Sequence, residues 1–311
     1  MKAVITGVAG FIGSHLAETL LAEGHEVTGV DAFVDYYPRA VKEGNLQAAR
    51  SHRCFRLVEG RLQDLVLAEV LDGADVVFHL AAQAGVRASW GRDFAVYTEH
   101  NVLATQRLLE AAVTARTPRV VYASSSSVYG DSPTLPLRED AVCRPVSPYG
   151  VTKLAAEHLA HLYQRNHGLA VVSLRYFTVY GPRQRPDMAF HRFLRAARDG
   201  EAVHVYGDGE QTRDFTYVDD VVAATRAAAL GRGSGVYNIG GGERVSLNQV
   251  LLAMETVTGR RLVIVREEAQ KGDMRDTFAD TTAAGRDLGF RSRVALAEGL
   301  AREWRWIEER G

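Results

Sequence analysis

Near the start of the chain, a strand-forming run meets three glycines at fixed spacing. Lys2-Ala3-Val4-Ile5-Thr6 is followed at once by Gly7-Val8-Ala9-Gly10-Phe11-Ile12-Gly13 and by a helical pattern through Leu21. A strand, a glycine turn and a helix in that order open a βαβ unit, and so commit the chain to a parallel sheet with helices on both faces. The glycines let the backbone approach a pyrophosphate, while the helix N-terminus offers amides and the positive end of its dipole. Gly7, Gly10, Phe11, Ile12 and Gly13 are therefore candidate dinucleotide contacts. The second strand, from His25 to Val30, ends at Asp31. A carboxylate there can accept hydrogen bonds from the adenosine ribose and repels a 2'-phosphate, which favours NAD over NADP.

The second constraint is Ser147-Pro148-Tyr149-Gly150-Val151-Thr152-Lys153. Ser147 is a good N-cap and Pro148 suits the first helical position. Tyr149 and Lys153, four apart, then share one helix face. A phenol titrates near 10 in water. A neighbouring ammonium and the helix dipole favour phenolate, so Tyr149 is expected to lie below that value and to take a proton from a substrate hydroxyl.

Composition limits the partners. The chain has 311 residues, 46% hydrophobic and 24% charged, with net charge -1. Such a balance suits an ordinary globular protein and gives no electrostatic case for nucleic acid or an anionic membrane. Any anionic ligand must be held by local arginines. Cys54 and Cys143 have no metal-ligand spacing, and His158 and His161 lack a third ligand, so no metal is expected. The strand beginning at Lys2 leaves no room for a signal peptide, and the reading is of a cytoplasmic protein.

In order, residues 32–53 read as a polar linker, Cys54 to Val58 as a strand, and Asp75 to Leu80 as a buried strand leading into Ala81-Ala82-Gln83. Their small size allows close approach to the cofactor, and Arg87 beyond them can reach an anion. Asn101 to Ala115 reads as an amphipathic helix, and Arg119 to Ala123 as a strand delivering Ser124-Ser125-Ser126-Ser127 into the ligand crevice. The helix from Pro148 should close at Gly168. The strand Ala170 to Leu174 precedes Arg175-Tyr176-Phe177-Thr178, where the chain crosses toward the substrate side. Val236 to Ile239 reads as a strand returning to the main sheet. The expected fold is α/β, a doubly wound parallel sheet (Rossmann) with a smaller, interleaved α/β substrate domain. Residues 1–175 and about 216–240 would form the first, and about 176–215 and 241–311 the second.

The spacing G-x-x-G-x-x-G together with Tyr149 and Lys153 resembles the extended short-chain dehydrogenase/reductase superfamily, over nearly the whole chain. The resemblance implies bound NAD, with Ala81, Ala82, Gln83, Asn101, Ser124, Tyr149, Lys153 and Tyr176 beside it and Leu62 beside the adenine. One departure stands out. The family places an acidic residue against adenine where this chain has Arg61. Ser125 falls on the catalytic serine/threonine, steadying the reacting oxygen beside Tyr149. The helices beginning near Asn101 and Tyr149 pack in this family as a four-helix bundle across a two-fold axis. Leu103, Leu108, Leu109, Leu159 and Leu162 are the candidate contacts of a homodimer.

The motifs SSSSVYG, YGVTK, RYFTVYGP and RQRPDM resemble the UDP-glucuronate 4-epimerase branch. Related dehydratases carry Asp-Glu, and decarboxylases Glu, just before Val-Tyr-Gly, where this chain has Ser126-Ser127. Thr178 replaces an asparagine usual in UDP-galactose 4-epimerases, and a hydroxyl near an arginine suits a carboxylate. The resemblance implies that Arg213 binds the diphosphate, Tyr206 with nearby backbone frames the uracil, and Asp273 holds its ribose. Arg87, Met188, Arg185, Arg192, Val205 and Gln211 complete the candidate substrate set. The implied reaction is oxidation and re-reduction at carbon 4 of a UDP-sugar, most simply UDP-glucuronate. A UDP-glucose/UDP-galactose 4-epimerase and a non-catalytic NAD-binding regulator remain as alternatives.

Overall fold

The computed structural model describes residues 1–231, 233–268, 272 and 274–310. Seven strands form one wholly parallel sheet: β1 (Lys2–Thr6), β2 (Glu26–Asp31), β3 (Phe55–Glu59), β4 (Val76–His79), β5 (Arg119–Ser125), β6 (Ala170–Tyr176) and β7 (Gly235–Ile239). Their order across the sheet is β7-β6-β5-β4-β1-β2-β3. The order reverses between β1 and β4, which places a ligand crevice at the carboxyl ends of those strands.

The alternation of side chains decides how the sheet is covered. Ala3, Ile5, Val76, Phe78, Val121 and Val172 enter one apolar cluster, whereas Val4, Val77, Val120 and Val171 enter another. Both faces are therefore buried, as a parallel sheet requires. Five helices matter to the site: α1 (Phe11–Ala22), α2 (Ala104–Thr114), α3 (Pro148–His167), α4 (Ala189–Asp199) and α5 (Val218–Leu230). Leu16, Leu20 and Val221 of α1 and α5 pack in the first cluster, Leu108, Leu109 and Ala160 of α2 and α3 in the second. Ala202–Tyr206 pairs with Val263–Glu267, and Thr212–Asp214 with Arg244–Ser246, as small separate sheets beside the carboxyl ends. Strand β7 joins β6 in parallel, with Val236 opposite Ser173.

Two segments differ from the sequence reading. Residues 32–53 are no plain linker: Arg39–Asn45 and Gln47–Arg50 are helical, and Phe33 and Leu46 are buried. Two apolar anchors in a polar stretch gave a pattern too sparse to count as periodic. The helix expected from Asn101 begins as a π-helical turn, Thr98–Leu103, before α2. One extra residue per turn is invisible to a 3.6-residue pattern.

Candidate active site

The crevice is built first from what lacks a side chain. Gly7 adopts φ +71°, and a Cβ there would lie 2.8 Å from the Ala81 nitrogen. A Cβ on Gly13 would lie 2.3 Å from the Gly7 carbonyl oxygen, so α1 can start against the turn only with glycine there. Asp31 closes this cradle by accepting from the Ala9 and Phe33 amides, each at 2.9 Å. Each oxygen keeps a second lone pair for a ligand hydroxyl. Burial raises the Asp31 pKa, opposed by those amides.

Every candidate cofactor contact lines this crevice except Asn101. Asn101 sits behind it, at the π-helical turn. Its Oδ1 accepts from the Gln83 amide at 2.7 Å, and its Nδ2 donates to the Gln83 carbonyl and the Thr152 hydroxyl, both at 3.0 Å. It thus ties the cofactor loop to α3. Tyr36, Tyr37, Lys42 and His100 also line the crevice. Sequence reasoning passed over them because it took their segments as linker and helix surface. At the base end Arg61 lines the wall and pairs with Glu99, its Nε 3.6 Å from Asp64. Leu62 lines the same wall.

At the other end stands Tyr149. Ser147 caps α3 by accepting from the Gly150 amide at 3.1 Å, with Pro148 at the first position and Gly168 left-handed at the far end. Tyr149 and Lys153 both line the crevice, and Ser125 is hydrogen-bonded to Tyr149. The electrostatics correct the sequence expectation. Burial raises the Tyr149 pKa above its ordinary value, while the Ser125 hydrogen bond and the Arg185 charge pull it down. Burial also pulls Lys153 to about 7, with Glu157 opposing. Desolvation of both groups outweighs the lysine and dipole terms considered alone. The charge that reaches Tyr149 is that of Arg185, from a distant loop.

The substrate candidates fall into groups. Ser125 is in register with Tyr176 on the neighbouring strand, and Ser126 and Ser127 leave the sheet in a 3-10 turn directly after it. Thr178 is anchored by its carbonyl, which accepts from the Thr216 amide at 3.0 Å. Arg185 lines the crevice, grips Asp187 at 3.0 and 2.9 Å, and lies near Tyr36, whose hydroxyl reaches the same carboxylate at 3.3 Å. Arg87 stacks over the Tyr206 ring at 4.3 Å, and Gln211 donates to the Tyr206 carbonyl at 3.1 Å. Val205 is fully buried, and the Met188 amide closes a turn on the Arg185 carbonyl at 3.0 Å.

Two candidates, Arg213 and Arg192, are placed differently from expectation. Arg213 donates to the carbonyls of Thr212 and Arg275, each at 2.9 Å, and to that of Met274, so it holds the 274–275 backbone. Arg192 is exposed on α4, beside a depression lined by Pro186 and His204, apart from the Tyr149 crevice. Asp273 lies outside the described residues. Among the described residues no cluster of three or more potential metal ligands occurs, and no helix is long and apolar enough to cross a membrane.

A glycine cradle, a ribose carboxylate and a Ser-Tyr-Lys wall in one crevice match a known group of proteins. The family described as the NAD dependent epimerase/dehydratase family matches residues 3–240. The chain belongs to that family. An uncharacterized UDP-glucose epimerase of Bacillus subtilis is 43% identical over 97% of this chain and 96% of its own length. A UDP-glucuronate 4-epimerase of Thermodesulfobacterium geofontis is 37% identical over 98% and 96%. The crystal structure of UDP-glucuronic acid 4-epimerase from Bacillus cereus, in complex with UDP-glucuronic acid and NAD, superposes with TM-score 0.97 at 41% identity, covering both chains fully. The cofactor of this family is NAD, and the cradle here fits it.

Proposed function

We propose that this protein interconverts UDP-sugars at carbon 4, with UDP-glucuronate and UDP-galacturonate as the principal pair. One observation carries the choice of an acidic sugar: Arg185 shares the crevice with Tyr149, while the positions before Val128 are serines and not carboxylates. A sugar acid meets a cation and hydroxyls there, and would share that cation with the Asp187 carboxylate.

Gly7, Gly13 and Asp31 would hold the cofactor's pyrophosphate and ribose, and Lys153 its nicotinamide ribose. When bound, NAD supplies a hydride acceptor that gives the hydride back, so no net oxidation occurs. Tyr149 takes the proton of the 4-hydroxyl, and Ser125 steadies that oxygen. Lys153 adds its positive charge. Tyr206 with Gln211 frames the uracil. The 4-keto sugar turns over about its diphosphate link before reduction on the opposite face. That intermediate is a β-keto acid, which loses carbon dioxide when its carboxylate bond aligns with the carbonyl π-system. Thr178, Ser126, Ser127 and Arg185 would hold the carboxylate out of that alignment.

A second reading, UDP-glucose/UDP-galactose epimerisation, is favoured by the likeness to the UDP-glucose epimerase of Bacillus subtilis. Proton NMR of the purified protein with UDP-glucuronate and UDP-glucose, side by side, separates the two. The galacturonate anomeric signal should grow, with little change for UDP-glucose. Turnover of UDP-glucose alone would exchange the readings, and turnover of neither would favour a regulator.

The same reading expects a homodimer. Leu108 and Leu109 are buried in their own core, and Leu159 packs against it. That corrects part of the stripe read from sequence. Leu103 is 43% and Leu162 49% exposed, joined by Val96 at 40% and Val151 at 48%. Light scattering at micromolar concentration should give a dimer, and Leu162→Glu should shift it toward monomer. A wild-type monomer would reject the assembly.

A further inference from the structure

Behind the catalytic wall lies a buried ion pair that the chemistry above does not use. Glu157 and Arg175 each have side chains only 5% exposed. Arg175 grips the Glu157 carboxylate with two parallel bonds, Nε to Oε1 at 2.9 Å and Nη2 to Oε2 at 2.8 Å. The Ser124 hydroxyl donates to the same Oε1. Arg175 also lies 4.6 Å over the Tyr129 ring and donates to the Glu139 carbonyl at 3.2 Å. The Tyr129 hydroxyl in turn donates to Asn238 Oδ1 at 2.6 Å. Strands β5 and β6 and helix α3 thus meet at one carboxylate, and Tyr129 links the Arg175 side of the pair to Asn238 on β7.

Its place on α3 gives that carboxylate a second role. Glu157 is four residues beyond Lys153, as Lys153 is beyond Tyr149, so the three share one helix face. Both the lysine and the glutamate are buried, where charges are poorly screened. Serine 124 adjoins Ser125, the partner of Tyr149. Resting on the reading of Tyr149 and Lys153 given above, we propose that Glu157, clamped by Arg175, is a positioning residue. It pins the Ser124–Ser125 end of β5 to α3 and sets a carboxylate on the helix face of Lys153, where a negative charge favours the ammonium.

The groups around Lys153 are consistent with this. From its own helix come Tyr149 and Glu157, from β5 the Tyr122 ring at 4.8 Å, and from β4 His79. Burial keeps His79 neutral, its pKa pushed to about 3, with the Lys153 charge adding to the effect. Tyr122 is raised by burial and then by its acidic neighbours, so it too stays neutral. Cys143, near both Glu157 and Arg175, is raised by burial. Among the described residues, Glu157 is the group that acts to raise the Lys153 pKa, against burial.

The test is Glu157→Gln in the NAD-loaded protein, with kcat/KM followed from pH 6 to 9.5 on the sugar the wild type turns over. The glutamine keeps an oxygen for Ser124 but loses the charge. A negative charge removed lowers the lysine pKa, so the alkaline limb should move down by about half a pH unit. Turnover at neutral pH should fall roughly tenfold as the wall loosens. The double variant Glu157→Met/Arg175→Met removes both members of the pair, so neither the carboxylate nor the guanidinium is left buried without the other, which guards against misfolding. Because Glu157 shares the helix face of Lys153 while Arg175 stands on β6, the double should move the limb in the same direction. A lower melting temperature with the alkaline limb unmoved in either folded variant would overturn the proposal and leave a structural pair. Were Tyr149→Phe or Lys153→Met to retain turnover, the catalytic reading itself would fail instead.

Discussion

Replacing Tyr149 by phenylalanine should cut kcat by about a hundred- to ten-thousand-fold, the usual contribution of general acid–base catalysis. The ring packs on Tyr97, edge to face with centroids 6.2 Å apart, and phenylalanine preserves that packing. Only the hydroxyl and its bond to Ser125 are lost. NAD and UDP-sugar binding, followed by quenching of protein fluorescence, should therefore change little. A loss of binding equal to the loss of turnover would assign Tyr149 to substrate placement. Retention of a tenth or more of wild-type turnover would remove it from the mechanism. The variant should also abolish the acidic limb of the pH profile if that limb reports the phenol.

The glycine turn, Asp31 and the capped helix at Pro148 were legible because each is local. A tight turn needs glycine, a ribose needs an acceptor at a strand end, and a helix start has its own chemistry. The seven-stranded sheet followed from the same rules. What escaped was whatever depends on residues far apart in sequence. The field at Tyr149 comes from Arg185, 36 positions away, and the Lys153 charge is opposed by burial that no spacing reveals. Tyr36 and Tyr37 looked like linker because their partner Arg185 lies nearly 150 positions further along the chain. Arg213 looked like a phosphate ligand by residue type, yet it spends donors on the backbone of 274–275. Leu108 and Leu109 carry the same stripe as Leu103, and only burial separates core from candidate interface. The departure at Arg61 was visible in sequence, but its partner Glu99 became visible only once the π-helical turn was formed.

Arg185→Met should produce the second large loss, by two routes that can be read apart. Methionine keeps much of the side-chain stem but removes the charge and its donors. If the guanidinium meets the sugar carboxylate, the lost charge-assisted bond is worth about 1.5–3 kcal/mol, or roughly ten- to a hundredfold in kcat/KM for UDP-glucuronate. A neutral UDP-hexose should escape that part of the loss. The second route is electrostatic. Burial raises the Tyr149 pKa, and the Ser125 hydrogen bond and then the Arg185 charge oppose it. Without the guanidinium the phenol rises further, so its deprotonated form is reached only at higher pH. The acidic limb of kcat/KM should therefore move upward for every sugar the enzyme accepts, costing most activity at the acid end. Asp187→Asn keeps the cation while removing its carboxylate partner, and should leave the acidic limb in place or lower. Thr178→Val removes a neutral hydroxyl at nearly constant shape, so it should weaken UDP-glucuronate selectively with no shift of the limb. Equal losses for acidic and neutral sugars in Arg185→Met, with the acidic limb unmoved, would place the carboxylate elsewhere and leave Arg185 as a clamp on the Asp187 loop.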